Sequence, residues 1–407
     1  MTAREAAYQV VLRVFEDDAY ADRVLRSAAT GLEGRDRALA QRLAYGTVQR
    51  VRTLDHAIGT LGKRPVRKLD PPVRAALRLG AYQLGFTDVP EHAAVNETVE
   101  LVRAARLERA VAFTNAVMRR LAGGMAPLLT SLPERAPDEA ALRHSYPDWV
   151  AEVWWDELGA EGTLALMRAQ NEPPERVVRL NRRKEGHVEG RPDVDLPDAL
   201  HVERVDEAAV DAGLIWPQSR GSQLAGLAVG ARPGERTLDL CAAPGGKATQ
   251  LAGDVVAVEL HPGRARELEE NCRRLGAANV TVVNADATKL PVELAGFDRV
   301  LVDAPCSGLG VLAGRPDLRW HARPLPDLQL ELLRVAADRV KPGGTILYSV
   351  CTIHEEETDA VVDESGLRVD PLGEEWPQFR HPGRPEFLQT LPHVHGTSGF
   401  FIARLRT

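Results

Sequence analysis

The sequence predicts a multi-domain protein in which an all-helical domain is followed by a doubly wound α/β domain. At 407 residues, the chain is too long for a single core of ordinary size. Residues 3–122 show helical periodicity without strand signals, whereas from about residue 217 short apolar runs alternate with amphipathic ones. This alternation is typical of a parallel sheet that helices cover on both faces.

The helical pattern spaces apolar residues three or four positions apart, as in Val95, Val99 and Val102. Segments rich in Gly and Pro separate the helices, namely GLEGRD, KRPVRKLDPP and FTDVPEH. A longer segment of similar composition, LAGGMAPLLTSLPERAPDEA, follows them. We therefore predict a helical domain over residues 1–125 and a linker over residues 126–140.

The remainder of the chain is predicted to contain an insert and the α/β domain. Over residues 141–216, a helical run is followed by a strand-like segment, RVVRLNRR, which indicates a small α+β insert. Over residues 217–407, the predicted strands are TLDL, VVAVEL, VTVV, RVLVDA and TILYSV. The predicted helices are KATQLA, GRARELEENCRRLG and DLQLELLRVAADRV.

Composition excludes several classes of protein. Hydrophobic residues make up 44% of the chain and charged residues 27%, which is typical of globular proteins. No apolar stretch approaches the length that spans a bilayer and the N-terminus lacks a signal-peptide core, so we expect a cytoplasmic protein without membrane contact. The cysteines lack the spacing of a metal knuckle, so we expect thiols and no metal. They are Cys241, Cys272, Cys306 and Cys351.

Charge is distributed unevenly along the chain, whose net charge is -7. Residues 1–125 contain 20 Lys and Arg against 14 Asp and Glu, and the remainder contains 31 against 44. Of the 20 cations in the first part, 18 are Arg, the side chain suited to bidentate phosphate contact. A solvated surface accounts equally well for so modest a bias, so charge alone does not identify a nucleic-acid partner.

The turn after the first predicted strand of the α/β domain is a candidate cofactor site. TLDL leads directly into CAAPGGK, where Gly245 and Gly246 let the backbone approach a ligand. The second strand ends in Glu259, an acceptor for ribose hydroxyls, and Asp286 follows the third strand, where it could accept from an adenine amino group. The turn matches neither GxGxxG nor the P-loop, although Gly-rich turns are common in α/β domains. An adenosyl ligand without a phosphate chain fits best.

Two of the cysteines follow predicted strands. Asp303 and Cys306 follow the fourth strand, and Cys351 follows the fifth. Because parallel strands end at one edge of a sheet, both thiols are expected on the rim that carries the cofactor acids, where a thiolate could be stabilised and exposed. Cys272 lies inside a predicted helix and is interpreted as a small buried hydrophobe, and Cys241 is interpreted as part of the cofactor turn.

Three strings, LDLCAAPGGK, VLVDAPCSGLG and ILYSVCT, resemble in this order the signature motifs of the RNA 5-methylcytosine methyltransferases variously called Sun, Fmu or RsmB. The resemblance extends across the whole chain. RDRALAQRLAYGTVQR, KLDPPVRAALRLGAYQLGF and VPEHAAVNETVEL resemble the NusB-like RNA-binding domain of this subfamily, and GTSGFFIARL resembles its closing strand. The resemblance implies an all-α NusB-like domain followed by an α/β Rossmann-like methyltransferase domain.

This resemblance implies S-adenosylmethionine as cofactor and RNA as substrate, with small-subunit ribosomal RNA expected. Glu259 would hold the ribose, Asp286 would contact the adenine, and Asp303 would lie near both the cofactor methyl and the target base. Cys351 would be the nucleophile and Cys306 would help to release the product. The cofactor turn would consist of Cys241, Ala242, Ala243, Pro244, Gly245, Gly246 and Lys247.

The chemistry of cytosine supports these roles. Carbon-5 is a poor nucleophile, but addition of a thiolate to carbon-6 places carbanion character on carbon-5 and divides one difficult step into two. Charge that develops on the ring needs a donor near N3, which Asp303 could supply if it is protonated or shares a proton. The base must also leave its stack to reach the site.

Two departures from the family pattern stand out. The ribose acid is more often Asp, so Glu259 reaches farther, and VLAGRPDLRW lacks a cation that relatives often carry, which we expect to affect RNA contact and not chemistry. A transfer RNA methyltransferase is the alternative within the class. The alternative from another class is a non-catalytic RNA-binding or transcription factor, which would need neither Cys306 nor Cys351. Nothing in the sequence indicates an obligate protein partner.

Overall fold

The computed structural model describes residues 1–407, and the chain divides into two compact units. The first, here called the helical unit, consists of Met1–Asn171 and Leu312–His321. The second, here called the α/β unit, consists of Glu172–Val311 and Ala322–Thr407.

The first helix begins at residues that favour a helix N-terminus. Thr2 accepts a hydrogen bond from the Glu5 amide, and the Glu5 carboxylate accepts one from the Thr2 amide, so both groups cap the first helix. None of the helices is long and apolar enough to cross a membrane. In chain order the helices are α1 (Ala3–Glu16), α2 (Ala21–Ala28), α3 (Gly34–Gly62), α4 (Pro71–Phe86), α5 (Glu91–Ala104), α6 (Glu108–Ser131), α7 (Pro137–His144), α8 (Asp148–Ala169), α9 (Glu207–Asp211), α10 (Arg220–Ala228), α11 (Pro262–Leu275), α12 (Leu318–His321), α13 (Pro326–Arg339), α14 (Asp359–Ser365) and α15 (Pro392–His395).

The helical unit contains α1 to α8 and α12, and α1 to α6 form its aliphatic core. Leu54 and Ile58 of α3 and Leu77 of α4 are fully buried there, and burial of such a side chain stabilises the fold by roughly 1.5–3 kcal/mol. The predicted breaks are confirmed, because α3 ends at Gly62 and α4 ends at Phe86, next to the segments rich in Gly and Pro.

Residues 126–140, the predicted linker, contain the end of α6, a short irregular stretch and the start of α7. Helix α6 continues through Pro127 as far as Ser131. Helix α8 packs against α7 in the helical unit, whereas the strand predicted in the same insert lies in the α/β unit. The boundaries predicted after residues 125, 140 and 216 therefore fall inside the compact units. Gly and Pro content marks irregular backbone but does not report which elements pack together.

The segment Leu312–His321 follows the fourth-strand motif in sequence but packs within the helical unit. The guanidinium of Arg319 is 1% exposed and donates to the backbone oxygens of Ser145 and Gln170, at the ends of α7 and α8. It also lies 4.0 Å from the centre of the Tyr146 ring. Burial lowers the pKa of Arg319 to about 10, so the group is still charged at neutral pH. Carbonyl groups at helix C-termini carry partial negative charge and thus replace a carboxylate partner.

Two sheets form the α/β unit. A small antiparallel sheet has the order β2-β3-β1-β4, and the large sheet has the order β10-β12-β9-β8-β5-β6-β7, with β11 paired to β12. In chain order the strands are β1 (Val177–Leu180), β2 (Arg191–Pro192), β3 (Ala199–His201), β4 (Ile215–Pro217), β5 (Arg236–Asp239), β6 (Asp254–Glu259), β7 (Val280–Asn284), β8 (Phe297–Asp303), β9 (Val340–Val350), β10 (Arg368–Val369), β11 (Leu388–Thr390) and β12 (Phe400–Arg406).

The large sheet differs from the expected parallel sheet at one side. Strands β5 to β9 pair in parallel, whereas β12 pairs antiparallel with β9, β10 and β11. An antiparallel addition at the side of a parallel sheet is common because it needs no crossover helix. The helix predicted over KATQLA was also wrong. Only a 3-10 turn over Ala248–Gln250 forms, since β6 already begins at Asp254.

Candidate active site

The strand order arranges the predicted site residues along one edge of the large sheet. Neighbouring strands β9, β8, β5, β6 and β7 run parallel, so their carboxyl ends lie side by side. Cys351 follows β9, Asp303 ends β8, and the turn CAAPGGK follows β5. Glu259 ends β6, and Asp286 lies just after β7. The two thiols thus lie toward one end of this rim and the two predicted adenosyl acids toward the other.

The predicted cofactor turn, residues 241–247, is held by backbone contacts on both sides. The Cys241 amide donates to Asp239 Oδ1 at 3.3 Å, and the Ala242 amide donates to the Val258 oxygen at 2.9 Å. Side chains of α11 bind the next two carbonyl groups, since Arg264 donates to Ala243 and Asn271 donates to Pro244. Burial, the largest cause, raises the pKa of the Cys241 thiol, so Cys241 is not a thiolate.

Both glycines of this turn occupy positions that a larger residue would fill. Gly245 has a φ of 105°, which L side chains rarely adopt, and a Cβ there would lie 2.6 Å from Leu268. A Cβ on Gly246 would lie 2.9 Å from the indole nitrogen of Trp216. The backbone of the turn is therefore packed too closely for side chains at these two positions.

Lys247 ends the turn, but its ammonium group contacts the residues of the thiol end of the rim. Its Nζ lies 2.7 Å from Asp303 Oδ2 and 4.9 Å from the centre of the Phe400 ring. The other carboxylate oxygen of Asp303 accepts a hydrogen bond from Ser349 Oγ at 2.7 Å. Both carboxylate oxygens of Asp303 are therefore hydrogen-bonded, and the Lys247 ammonium is held in place at the thiol end of the rim.

The two predicted adenosyl acids differ in exposure. Glu259 is 4% exposed; its Oε1 accepts from the His261 amide at 2.8 Å, and its Oε2 lies 3.5 Å from Arg264. Asp286 is more exposed and accepts from the amide and the hydroxyl of Thr288. These hydrogen bonds are the largest cause that lowers the pKa of Asp286, so its carboxylate is ionised and can accept further bonds from a ligand.

The sulphur atoms of Cys306 and Cys351 lie 3.4 Å apart. The hydrogen bond between them is the largest cause that raises the pKa of Cys306 and lowers the pKa of Cys351. The ammonium of Lys247 also lowers the pKa of Cys351, whereas burial and the carboxylate of Asp303 raise it. The pair therefore favours a Cys351 thiolate that accepts a hydrogen bond from the Cys306 thiol.

Comparison with known proteins agrees with this geometry. Residues 227–406 match the family model of the 16S rRNA methyltransferases RsmB/F, and residues 1–123 match the NusB family. The putative methyltransferase Rv1407 of Mycobacterium tuberculosis is 37% identical over 99% of this chain and 96% of its own length. The probable ribosomal RNA small subunit methyltransferase B of Bacillus subtilis is 31% identical over 100% of this chain and 98% of its own. The chain belongs to the RsmB/F family.

Membership of the RsmB/F methyltransferases confirms the predicted family and fold class. The helical unit contains the NusB-family region, and the α/β unit contains the Rossmann-like methyltransferase region except Leu312–His321. The crystal structure of PH0851 has a TM-score of 0.83 with this chain at 24% identity, and the match covers 100% of this chain and 99% of that one. The shared fold therefore extends over the full length.

Three residues of this RsmB/F-family chain at the rim were not predicted from sequence. Asp239 ends β5, is 1% exposed, and has a pKa that burial and then the Asp303 carboxylate raise to about 7. Its place two residues before Cys241, where the CAAPGGK turn begins, was a usable signal. Ser349 gave no signal beyond its place at the end of a strand. Glu357 is fully buried, although EEE at residues 355–357 resembles a solvated charge run.

Proposed function

We propose that this protein transfers a methyl group from S-adenosylmethionine to carbon-5 of a cytosine in small-subunit ribosomal RNA, with Cys351 as the covalent nucleophile. The observation that carries the proposal is the 3.4 Å separation of the Cys306 and Cys351 sulphur atoms at neighbouring strand ends. The family description and the name of the Bacillus subtilis relative, which both specify small-subunit ribosomal RNA, support the choice of substrate.

The residues of the rim fit an adenosyl sulfonium ligand better than a phosphate ligand. Asp239, Glu259, Asp286 and Asp303 line the strand ends, and the cations among them are already bound, since Lys247 contacts Asp303 and Arg264 contacts Glu259. A phosphate would need free cations, whereas carboxylates accept from hydroxyl and amino groups and attract a positive sulphur.

We assign Glu259 to the ribose and Asp286 to the adenine amino group. Residues 241–247, the turn between β5 and the 3-10 turn at Ala248–Gln250, would hold the rest of the cofactor beside Asp303. S-adenosylmethionine would supply an electrophilic methyl group there. The buried position of Glu259 suits a fixed pair of ribose bonds, because a carboxylate already held by the His261 amide loses little further freedom.

Cys351 attacks as the thiolate that its lowered pKa favours. A bond forms between its sulphur and carbon-6 of the cytosine, and the carbon-5 to carbon-6 double bond supplies the electron pair that carbon-5 donates to the methyl group. The ring meanwhile gains negative charge at N3 and O2. The Lys247 ammonium, fixed against Asp303 at 2.7 Å, supplies the hydrogen bond that stabilises this charge.

Cys306 acts after methylation. The bond to Cys351 is the largest cause of its raised pKa, and loss of this bond when Cys351 binds carbon-6 lowers the pKa of Cys306, although burial and the Glu357 carboxylate still raise it. Cys306 can then lose its proton to water. Its thiolate removes the carbon-5 proton, the double bond re-forms, and the Cys351 sulphur leaves carbon-6 as a thiolate. A buried thiolate is a strong base, which suits this step.

Bisulfite sequencing of ribosomal and transfer RNA tests the assignment in cells with the gene, without it, and with Cys351→Ala in its place. We expect one cytosine of small-subunit ribosomal RNA to lose its resistance to deamination in both deficient strains. Loss at a transfer RNA cytosine would establish the alternative substrate. Unchanged resistance throughout would overturn the carbon-5 assignment.

A further inference from the structure

Among the residues around the two thiols, Glu357 is the most deeply enclosed charged group. Its carboxylate is fully buried and is bound by N–H donors only, with no Lys or Arg within ion-pair distance. A buried carboxylate without a cation is costly unless donors saturate its oxygens, so its retention needs a reason. We propose that Glu357 is a positioning residue for Cys306, because its carboxylate fixes the loop that carries this thiol.

The carboxylate binds the peptide group on one side of Cys306. The amide of Ser307, the next residue, donates to both carboxylate oxygens of Glu357, at 3.0 Å and 3.2 Å. On the other side of Cys306, the carbonyl of Pro305 accepts from Gln329 Nε2 at 2.9 Å. Gln329 Nε2 also donates to Glu357 Oε1 at 2.9 Å. Glu357 and Gln329 together therefore hold both peptide groups that flank Cys306.

Glu357 also closes the loop at its far end. The amide of Leu325 donates to Glu357 Oε1 at 3.0 Å. Between Ser307 and Leu325 the chain leaves the α/β unit at residue 311 and returns to it at residue 322. One carboxylate thus binds a residue of the α/β unit before this excursion and another after it.

The main chain of Glu357 is fixed as well, which makes the carboxylate a rigid anchor. The hydroxyl of Tyr348, on β9, donates to the Glu357 carbonyl oxygen at 2.7 Å. Because β9 also leads to Cys351, the same strand sets the positions of the nucleophile and of the group that anchors Cys306. The charged and titratable groups that face the two thiols are Asp303, Lys247, Glu357 and the Tyr348 hydroxyl.

The charge of Glu357 has a second effect that fits this role. The bond to Cys351 and burial are the largest causes of the raised pKa of Cys306, and the Glu357 carboxylate raises it further. Glu357 thereby favours a protonated Cys306 before attack and a more basic Cys306 thiolate afterwards. This inference rests on the proposed function, in which Cys306 removes the carbon-5 proton.

The test compares Glu357→Gln with Glu356→Gln in the full-length protein, supplied with S-adenosylmethionine and small-subunit ribosomal RNA. This substitution keeps the side-chain volume. The NH2 group of the new amide, however, would face one of the N–H donors that the carboxylate now binds, so the loop would lose its anchor. We expect turnover to fall about a hundredfold. RNA-linked protein should accumulate on denaturing gels, as with Cys306→Ala, because Cys351 still attacks while release stalls. Glu356 is exposed and pairs only with His354, so its variant should behave as wild type.

A purely structural role predicts a lower melting temperature and less active protein without any RNA adduct, and that result would overturn the inference. If Glu357→Gln does not fold, Glu357→Asp takes its place, since it keeps the charge but withdraws it by one methylene, and the same adduct is expected. An adduct with Cys306→Ala but none with the Glu357 variants would overturn the positioning role alone. No adduct in any variant, including Cys306→Ala, would overturn both this role and the proposed function.

Discussion

The ammonium nitrogen of Lys247 lies 2.7 Å from Oδ2 of Asp303, although the two residues are 56 positions apart in the chain. The turn that carries Lys247 follows β5 and Asp303 ends β8, which are adjacent parallel strands. The contact therefore joins the predicted cofactor turn to the thiol end of the rim. The effect of this contact on methyl transfer can be measured.

Lys247→Met is expected to lower the rate of methyl transfer by about 10²–10³, the usual cost of removing one positioned donor. Affinity for S-adenosylmethionine should change little, because the Nζ contacts Asp303 and the Phe400 ring. Single-turnover rates at saturating cofactor, together with calorimetry, check both points. Lys341→Met is the control, since Lys341 pairs with Asp298 away from the rim. Recovery of the rate at high cofactor concentration would show that Lys247 serves the cofactor.

The two cysteines should be separable by their adducts. Cys351→Ala removes the nucleophile, so no covalent RNA complex should form and methylation should be lost almost completely. Cys306→Ala should still attack and methylate, but release should stall and leave protein linked to RNA on denaturing gels. A stable adduct from Cys351→Ala and none from Cys306→Ala would reverse the two assignments.

Glu259→Ala and Asp286→Ala should each weaken binding of S-adenosylmethionine by roughly tenfold to a hundredfold, as expected when a hydrogen bond to a charged group is lost. RNA affinity should remain nearly constant, because neither acid lies at the thiol end of the rim. Calorimetry with cofactor and filter binding with RNA give the two quantities. Glu269→Ala, on the exposed face of α11, is the control. Unchanged cofactor affinity in both variants would remove these acids from the site.

Four exposed cations between α3 and α4 are expected to bind the RNA backbone: Lys63, Arg64, Arg67 and Lys68. None of them forms an ion pair, whereas other arginines of the helical unit pair with acids, such as Arg52 with Asp148. Helix α6 packs against α3 and brings Arg120 beside these four cations, where its guanidinium donates to the carbonyls of Leu61 and Gly62.

Replacement of these four cations by alanine should reduce the slope of log affinity against log salt by about 0.7–0.9 for each phosphate contact that is lost. Filter binding of ribosomal RNA over a range of salt concentrations measures the slope. Arg135→Ala, which removes an exposed cation paired with Glu139, is the control. Identical slopes for wild type and the fourfold variant would place RNA binding elsewhere.

The pH dependence of stability should include a contribution from Asp239. Its pKa is raised from 3.8 to about 7 by burial and by the Asp303 carboxylate. Between these values the folded state holds a proton that the unfolded chain has lost, so the free energy of unfolding falls as pH rises. Asp239→Asn cannot ionise and should lack this loss. The melting temperature of the variant, relative to wild type, should therefore increase from about pH 4 to about pH 7, and a constant difference would contradict the raised pKa.

Much of the architecture follows from local sequence. Apolar spacing predicted the helical domain and the strands that precede Glu259, Asp303 and Cys351, because side-chain periodicity reflects which face of an element is buried. The helix predicted over KATQLA does not form, because amphipathic spacing does not indicate how soon the next strand begins. Within the predicted linker, α6 continues through Pro127, where composition alone indicated a break.

The sequence by itself determined the family, the fold class and the strand ends at which the acids and thiols would lie, because motifs and periodicity are properties of short segments. Only the tertiary structure decided which of these groups touch. The bond between the two thiols spans 45 positions, and the bond from the Ser307 amide to Glu357 spans 50. Such contacts depend on strand order, packing and burial, which join distant segments. For the same reason, the sequence alone does not distinguish the buried Glu357 from a glutamate that is exposed to solvent.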